Sequence, residues 1–230
     1  MRVSTGCRGM DRLLDGGLPA HRLYVISGPP GSGKTTFASQ FTAEGVRTDD
    51  TTLYLTMHES RDELVTDMSS FDFGFERAIT ASNARFLNLT SEKARMSLTK
   101  YGTEGGLTNR VAAMIEEMDV DRAVIDSTML LTHFVEDPDS ALTEFATRLK
   151  QTDATIVLIS EMTDPSAYSA EHFLAHGVIF FHNFMDAGGM TRAVQLIKMR
   201  GTEIDTDMHE ASFTSGGLAV HPDRTLDGVS

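Results

Sequence analysis

One stretch constrains this chain more than any other. Gly28-Pro29-Pro30-Gly31-Ser32-Gly33-Lys34-Thr35 matches the phosphate-loop spacing G-x-x-x-x-G-K-[ST] at every position. The preceding Arg22–Ser27 (RLYVIS) is mostly apolar and β-branched, as a buried strand requires. The following Thr36–Glu44 places Phe37, Ala38 and Phe41 on one helical face, with Gly45 as the expected stop. Strand, loop, helix is the setting that gives the spacing a physical meaning. Glycines let the backbone curl with its N–H groups turned inward around a phosphate chain. The helix N-terminus adds partial positive charge. In such a loop Lys34 reaches the β- and γ-phosphates, and the Thr35 hydroxyl can bind Mg²⁺. The plain alternative is a glycine-rich turn that contains Lys-Thr by coincidence, and the full match with its flanks speaks against it.

The remaining composition narrows the partners. With 33 acidic and 20 basic residues, the 230-residue chain carries a net charge of −13. A field of that sign repels nucleic acid, and no Lys/Arg cluster interleaved with aromatics overrides it. The excess of Asp over Lys resembles proteins of salt-loving cells. The single cysteine, Cys7, permits no internal disulfide and points to a reducing, cytoplasmic setting. No signal peptide and no membrane-spanning apolar run is expected. The length suits one domain over residues 1–230 with a sizeable core.

Taken in order, the chain alternates strands and helices. A short helix with Met10, Leu13 and Leu14 is expected beside the first strand. Thr52–Thr56 reads as the second strand, ending in Met57-His58-Glu59-Ser60. Ligands of open α/β sheets bind at the carboxyl ends of strands, so His58 and Glu59 are candidates to orient a water attacking a phosphate. Arg61–Ser70 reads as a helix, Ala84–Leu89 as a third strand and Thr90–Gly106 as a mobile loop on the ligand side. Thr108 opens the next helix. Ala123-Val124-Ile125-Asp126-Ser127 is an apolar strand ending in a carboxylate, the pattern in which Asp126 holds a Mg²⁺ shell. Asp137-Pro138 caps another helix, and Ala154–Ser160 is the fifth strand, ending at Ser160-Glu161. Two hairpins follow, Gly177–Asn183 with Thr191–Met199 and Ser212–Thr214 with Leu218–Val220. Alternation followed by consecutive strands predicts an α/β fold, a mostly parallel sheet extended by antiparallel strands. His172 and His176 share a helical spacing of four, but no third ligand pattern supports zinc.

Several stretches together resemble the KaiC-like branch of the RecA superfamily of P-loop ATPases, in single-domain form. They are STGCRGMDRLLDGGLPAHRLYVISGPPGSGKTT, AVIDS, LIKMRGT and SFTSGGLAV, which span almost the whole chain. The resemblance implies ATP and Mg²⁺ as ligands. Gly28 and Gly31 to Thr36, including Ser32, Gly33 and Lys34, would hold the triphosphate, with Thr35 and Asp126 on the metal. Ser70 matches a position beside the nucleotide. Lys198 and Arg200, flanking Met199, match a basic pair that reaches the γ-phosphate of ATP bound to the neighbouring subunit. Thr202, Thr214 and Ser215 match positions near base and ribose. The resemblance also implies a homo-oligomeric ring, commonly a hexamer, acting as a regulatory ATPase, and His58 in place of the family's usual first glutamate implies slow hydrolysis. The alternative is an ATP-dependent switch or scaffold for a signalling, transcription or motility partner. DNA binding of the recombinase kind stands behind both.

Three positions depart from the family pattern. His58-Glu59 replaces a pair of adjacent glutamates, so the carboxylate that activates water in most relatives is absent from its usual place. His172 and Phe173 stand where the clock protein has a Ser-Thr phosphorylation pair, which removes that autokinase cycle. Ser215 replaces a common acidic residue near the base.

Overall fold

A computed structural model describes residues 1–89, 106–128, 137–162, 164, 166, 168–186 and 188–226. The first half runs β1 (Arg2–Val3), α1 (Met10–Leu13), β2 (Leu18–Pro19), β3 (Leu23–Ser27), α2 (Lys34–Arg47), β4 (Thr52–Thr56), α3 (Arg61–Met68), α4 (Phe75–Thr80) and β5 (Ala84–Asn88). It continues through α5 (Gly106–Glu117), β6 (Arg122–Asp126), α6 (Pro138–Leu149), β7 (Thr155–Ser160) and α7 (Ala170–Leu174). It closes with β8 (Gly177–Asp186), β9 (Gly189–Met199), β10 (Met208–Thr214) and β11 (Gly217–Thr225).

Nine strands form one sheet in the order β11-β10-β9-β8-β3-β7-β6-β4-β5. From β8 to β5 every pairing is parallel, and from β8 to β11 every pairing is antiparallel. This is the expected α/β architecture. The reason is visible in the strands: β3, β4, β6 and β7 are buried at every residue, as strands covered on both faces must be. Successive side chains alternate between faces. Tyr24, Ile26, Tyr54 and Val124 join Phe37 and Phe41 of α2 in one apolar cluster. Leu23, Val25, Leu53 and Ile125 join Val111 of α5 and Phe145 of α6 in the other.

Several local expectations change. Gly45 does not stop α2, which runs on to Arg47. Gly45 serves close packing instead, since a Cβ there would lie 2.7 Å from Arg122 Cδ and 2.8 Å from Thr52 Cγ2. Helix α1 packs against the last strand, β11, as well as joining the cluster around Tyr24 of β3. The small β1–β2 pair and helix α4, which follows Gly74 in a left-handed conformation, carry too little periodicity to be read from the sequence. Asp137 caps α6 as expected, its carboxylate accepting from Ser140 N. The loop expected over Thr90–Gly106 lies outside the described residues except for Gly106, which opens α5. His176 falls beyond the end of α7, so it does not share a helix face with His172. No helix among the described residues is long and apolar enough to cross a membrane.

Candidate functional site

The phosphate loop leaves the buried end of β3 and enters α2 beneath the carboxyl edge of the parallel strands. Gly28 has φ 145° and backs onto β8, where a Cβ would meet Phe181 O at 2.1 Å. Gly33 caps α2 at φ 102°, a left-handed conformation that side chains disfavour. Lys34 donates to the Gly28 and Pro29 carbonyls at 2.8 and 2.9 Å, so the loop is curled around its own ammonium. Burial makes Lys34 release its proton more readily, opposed by the charges of Glu161 and then Asp126. The Ser32 hydroxyl is buried with no partner among the described residues.

Strand order brings the second half of the site. β6 lies two strands from β3, separated by β7, and delivers Asp126 opposite Thr35. Thr35 Oγ1 donates to Asp126 Oδ2 at 3.1 Å, and the Tyr54 hydroxyl donates to the same oxygen at 3.3 Å. Burial raises the Asp126 pKa, against the lowering effects of the Thr35 bond, His58, Tyr54 and Lys34. Lys34, Thr35, Thr36, Asp126, Gly31 and Gly33 all line one cleft of about 360 Å³. A hydroxyl and a buried carboxylate converging this way suit a hard divalent cation such as Mg²⁺, which prefers oxygen ligands.

His58 and Glu59 stand at the tip of β4, one strand beyond Asp126. The His58 imidazole shares a 2.8 Å hydrogen bond with the Ser127 hydroxyl. Glu59 lines a separate cleft with Asp62, Glu63 and Asp67. Its proton is held more firmly than usual because of burial, then the charges of Asp126, Asp67 and Glu63.

The remaining candidates divide between the two edges of the sheet. Thr214 and Ser215 form the β10–β11 turn on the phosphate-loop edge. Thr214 Oγ1 donates to Gly217 O, and Ser215 O accepts from Asp72 N at 2.6 Å. Ser70 bonds Asp67 O at 3.3 Å. None of the three lines the cleft with Lys34. Lys198, Met199, Arg200 and Thr202 lie at the opposite edge. Met199 pairs with Gly177, which pairs with Tyr24 near the start of β3. Four residues of strand, about 13 Å, separate that level from Gly28. Lys198 donates to the His172 and Phe173 carbonyls, both at 2.9 Å, and Arg200 to Phe173 O at 3.1 Å. Burial, Arg200 and Lys150 together lower the Lys198 pKa. Thr202 accepts from Arg2 at 3.0 Å.

His172 is buried in a polar chain. Its Nε2 bonds Ser27 Oγ at 2.7 Å and its Nδ1 bonds Ser169 Oγ at 2.9 Å. Among the described residues no group of three metal-ligating side chains forms.

Three residues near the cleft are not among the site residues expected from the sequence, although Glu161 stood at the ligand edge of the fifth strand. Arg192 of β9 donates to Gly31 O at 2.9 Å, and its guanidinium lies 4.8 Å over the Phe213 ring. Glu161 lines the cleft beyond β7. Gln40 of α2 ties the β10–β11 turn down through Gly216 O, Leu218 O and Leu218 N. Only Glu161 had a signal, its place just past a strand end.

The family description "ATPase: KaiC" matches residues 3–225. The chain is 26% identical over 232 residues to the circadian clock oscillator protein KaiC of Parathermosynechococcus lividus, covering 96% of this chain and 42% of that protein. It is 26% identical to circadian clock protein KaiC3 of a Synechocystis strain, covering 96% of this chain and 46% of that one. The chain thus spans less than half the length of these relatives. A KaiC-like protein from the archaeon Pyrococcus horikoshii superposes with a TM-score of 0.81 at 25% identity, covering 96% of this chain and 99% of that one. With the phosphate loop, Asp126 and the extended parallel sheet in one arrangement, the chain belongs to the KaiC family of ATPases.

Proposed function

We propose that this protein binds ATP with Mg²⁺ and hydrolyses it slowly as a homo-oligomeric, commonly hexameric, ring with a regulatory role. The observation that carries this reading is the 3.1 Å contact between Thr35 and Asp126 in the cleft that Lys34 also lines. Lys34 and the inward N–H groups of Gly31 to Thr36 hold the phosphates, and Thr35 and Asp126 hold the metal. Mg²⁺ bound there would offset phosphate charge. Ser70, Thr214 and Ser215 remain proposed nucleotide neighbours at the rim.

Lys198 and Arg200 lie on the far edge from their own phosphate loop, which supports their action on a neighbour's ATP. In a head-to-tail ring one subunit's far edge meets the next subunit's cleft. Subunit mixing tests this. Lys34→Ala and the double variant Lys198→Ala/Arg200→Ala are each expected to be silent in phosphate release. Mixed together they regain part of the parent rate, because an intact phosphate loop then faces intact cations. No recovery on mixing refutes the in-trans site.

A second reading is a switch that holds ATP without useful hydrolysis and presents a surface to a signalling partner. The imidazole at His58, where relatives carry a carboxylate, favours it. Ring assembly driven by ATP with no phosphate release would select this reading.

A further inference from the structure

Position 58 is a histidine, so the proton of an attacking water falls to one of the carboxylates around the cleft. Three carboxylates stand at or just past the carboxyl ends of the strands beside the phosphate loop. Asp126 is bound by two hydroxyls through Oδ2 and is the proposed metal ligand. Glu59 sits at the tip of β4, on the far side of Asp126 from the phosphate loop. It faces a cleft it shares with Asp62, Glu63 and Asp67, whose charges crowd it. Glu161 is placed differently. It follows β7, the strand between β3 and β6. Ser160 is level with Ser27 on one side, and Ile159 with Asp126 on the other. One residue beyond Ser160, Glu161 therefore stands between the phosphate loop and Asp126, above both.

Glu161 lines the same cleft as Lys34, Thr35 and Asp126, which Glu59 does not. Its side chain makes no hydrogen bond or ion pair among the described residues, so its oxygens are available to water. Ser160 is level with Ser27, which leads into the phosphate loop, so Glu161 enters the cleft from the Lys34 side, and its charge favours the protonated Lys34. The γ-phosphate belongs on that side too, because this lysine reaches the β- and γ-phosphates.

We infer that Glu161, rather than Glu59, is the carboxylate that accepts the proton of the water attacking ATP. The inference rests on the ATPase reading above. In this step the water oxygen forms a bond to the γ-phosphorus as the bond from that phosphorus to the β–γ bridging oxygen breaks. ADP leaves with the electron pair of the broken bond, and the water proton moves to a Glu161 oxygen. The proton then passes to the released phosphate or to solvent, restoring the carboxylate. Position 58 can thus carry a histidine in an active enzyme, because the neighbouring strand tip on the other side of Asp126 supplies the base.

The test compares phosphate release and fluorescent-ATP affinity in the parent, Glu161→Gln, Glu161→Asp, Glu59→Gln and Lys34→Ala. Glu161→Gln is expected to lower kcat about 100-fold, the scale of a lost general base. Its nucleotide affinity stays within about threefold of the parent, since no binding contact to the phosphates is removed. Glu161→Asp recovers part of the rate. Glu59→Gln lowers kcat far less. A Glu161→Gln variant that turns over at the parent rate overturns the inference while leaving the ATPase reading intact. So does a Glu59→Gln variant that is the slower of the two. A parent that binds ATP and releases no phosphate refutes both together.

Discussion

Thr35 and Asp126 are 91 positions apart in the chain, yet the Thr35 hydroxyl donates to the Asp126 carboxylate at 3.1 Å. Asp126 ends the buried parallel strand β6, whereas Thr35 sits in the first turn of α2 after the loop that leaves β3, and β7 lies between those two strands. The contact turns two short sequence patterns into one oxygen-lined site.

That site is placed at a cost to the fold. Burial raises the folded-state pKa of Asp126 above its ordinary value of 3.8. Its contribution to stability is therefore full below about 3.8 and is lost as pH rises through the folded value. Asp126→Asn removes the penalty, so Tm at pH 7 should rise, by roughly 2–4 °C per kcal/mol recovered in a chain of this length. The gain should vanish toward pH 3.5, while Mg²⁺-dependent turnover drops about 100-fold or more. Equal Tm for parent and variant at pH 7 contradicts this.

The histidines act in the opposite sense. His172, His176 and His182 all release protons more readily than the ordinary 6.5, burial being the first cause in each. Their contribution to stability is present above about 6.5 and is lost as pH falls through the folded values. Thermal unfolding between pH 7.5 and 5 should show a falling Tm. His182→Gln, which removes one such group, should flatten that slope measurably. An unchanged slope refutes the assignment.

Gly45→Ala should destabilise the protein although alanine is the better helix former by about 1 kcal/mol. The new methyl would press on Arg122, which is buried and fixed by Asp50 at 2.5 Å and by Ser4 O at 2.6 Å. Overpacking of this kind costs about 1–3 kcal/mol. Chemical denaturation reads the sign directly, and a stabilised variant shows that Arg122 gives way freely.

Arg192→Ala should weaken ATP binding several-fold with little change in kcat. It removes the bond to Gly31 O and the cover over Phe213, both beside the phosphate loop. Steady-state kinetics separate the two parameters. A kcat loss with KM unchanged would instead put Arg192 in the chemical step.

The sequence by itself determined the central strands, the phosphate loop and the Asp126 strand end, because each is a local pattern. Apolar runs ended by glycine or a polar residue need no distant partner to be recognised. β4 has the expected bounds, and β3, β6 and β7 lie within one residue of theirs. Only the tertiary structure decided which residues share a cleft. Strand order set β7 between β3 and β6, which brought Glu161 into the cleft with Lys34 and left Glu59 two strands from it, beyond Asp126. The antiparallel return of β9 carried Arg192 to the phosphate loop and Lys198 to the opposite edge, although six residues separate them in the chain. Such placements depend on pairing between distant segments, and neither composition nor spacing records that pairing.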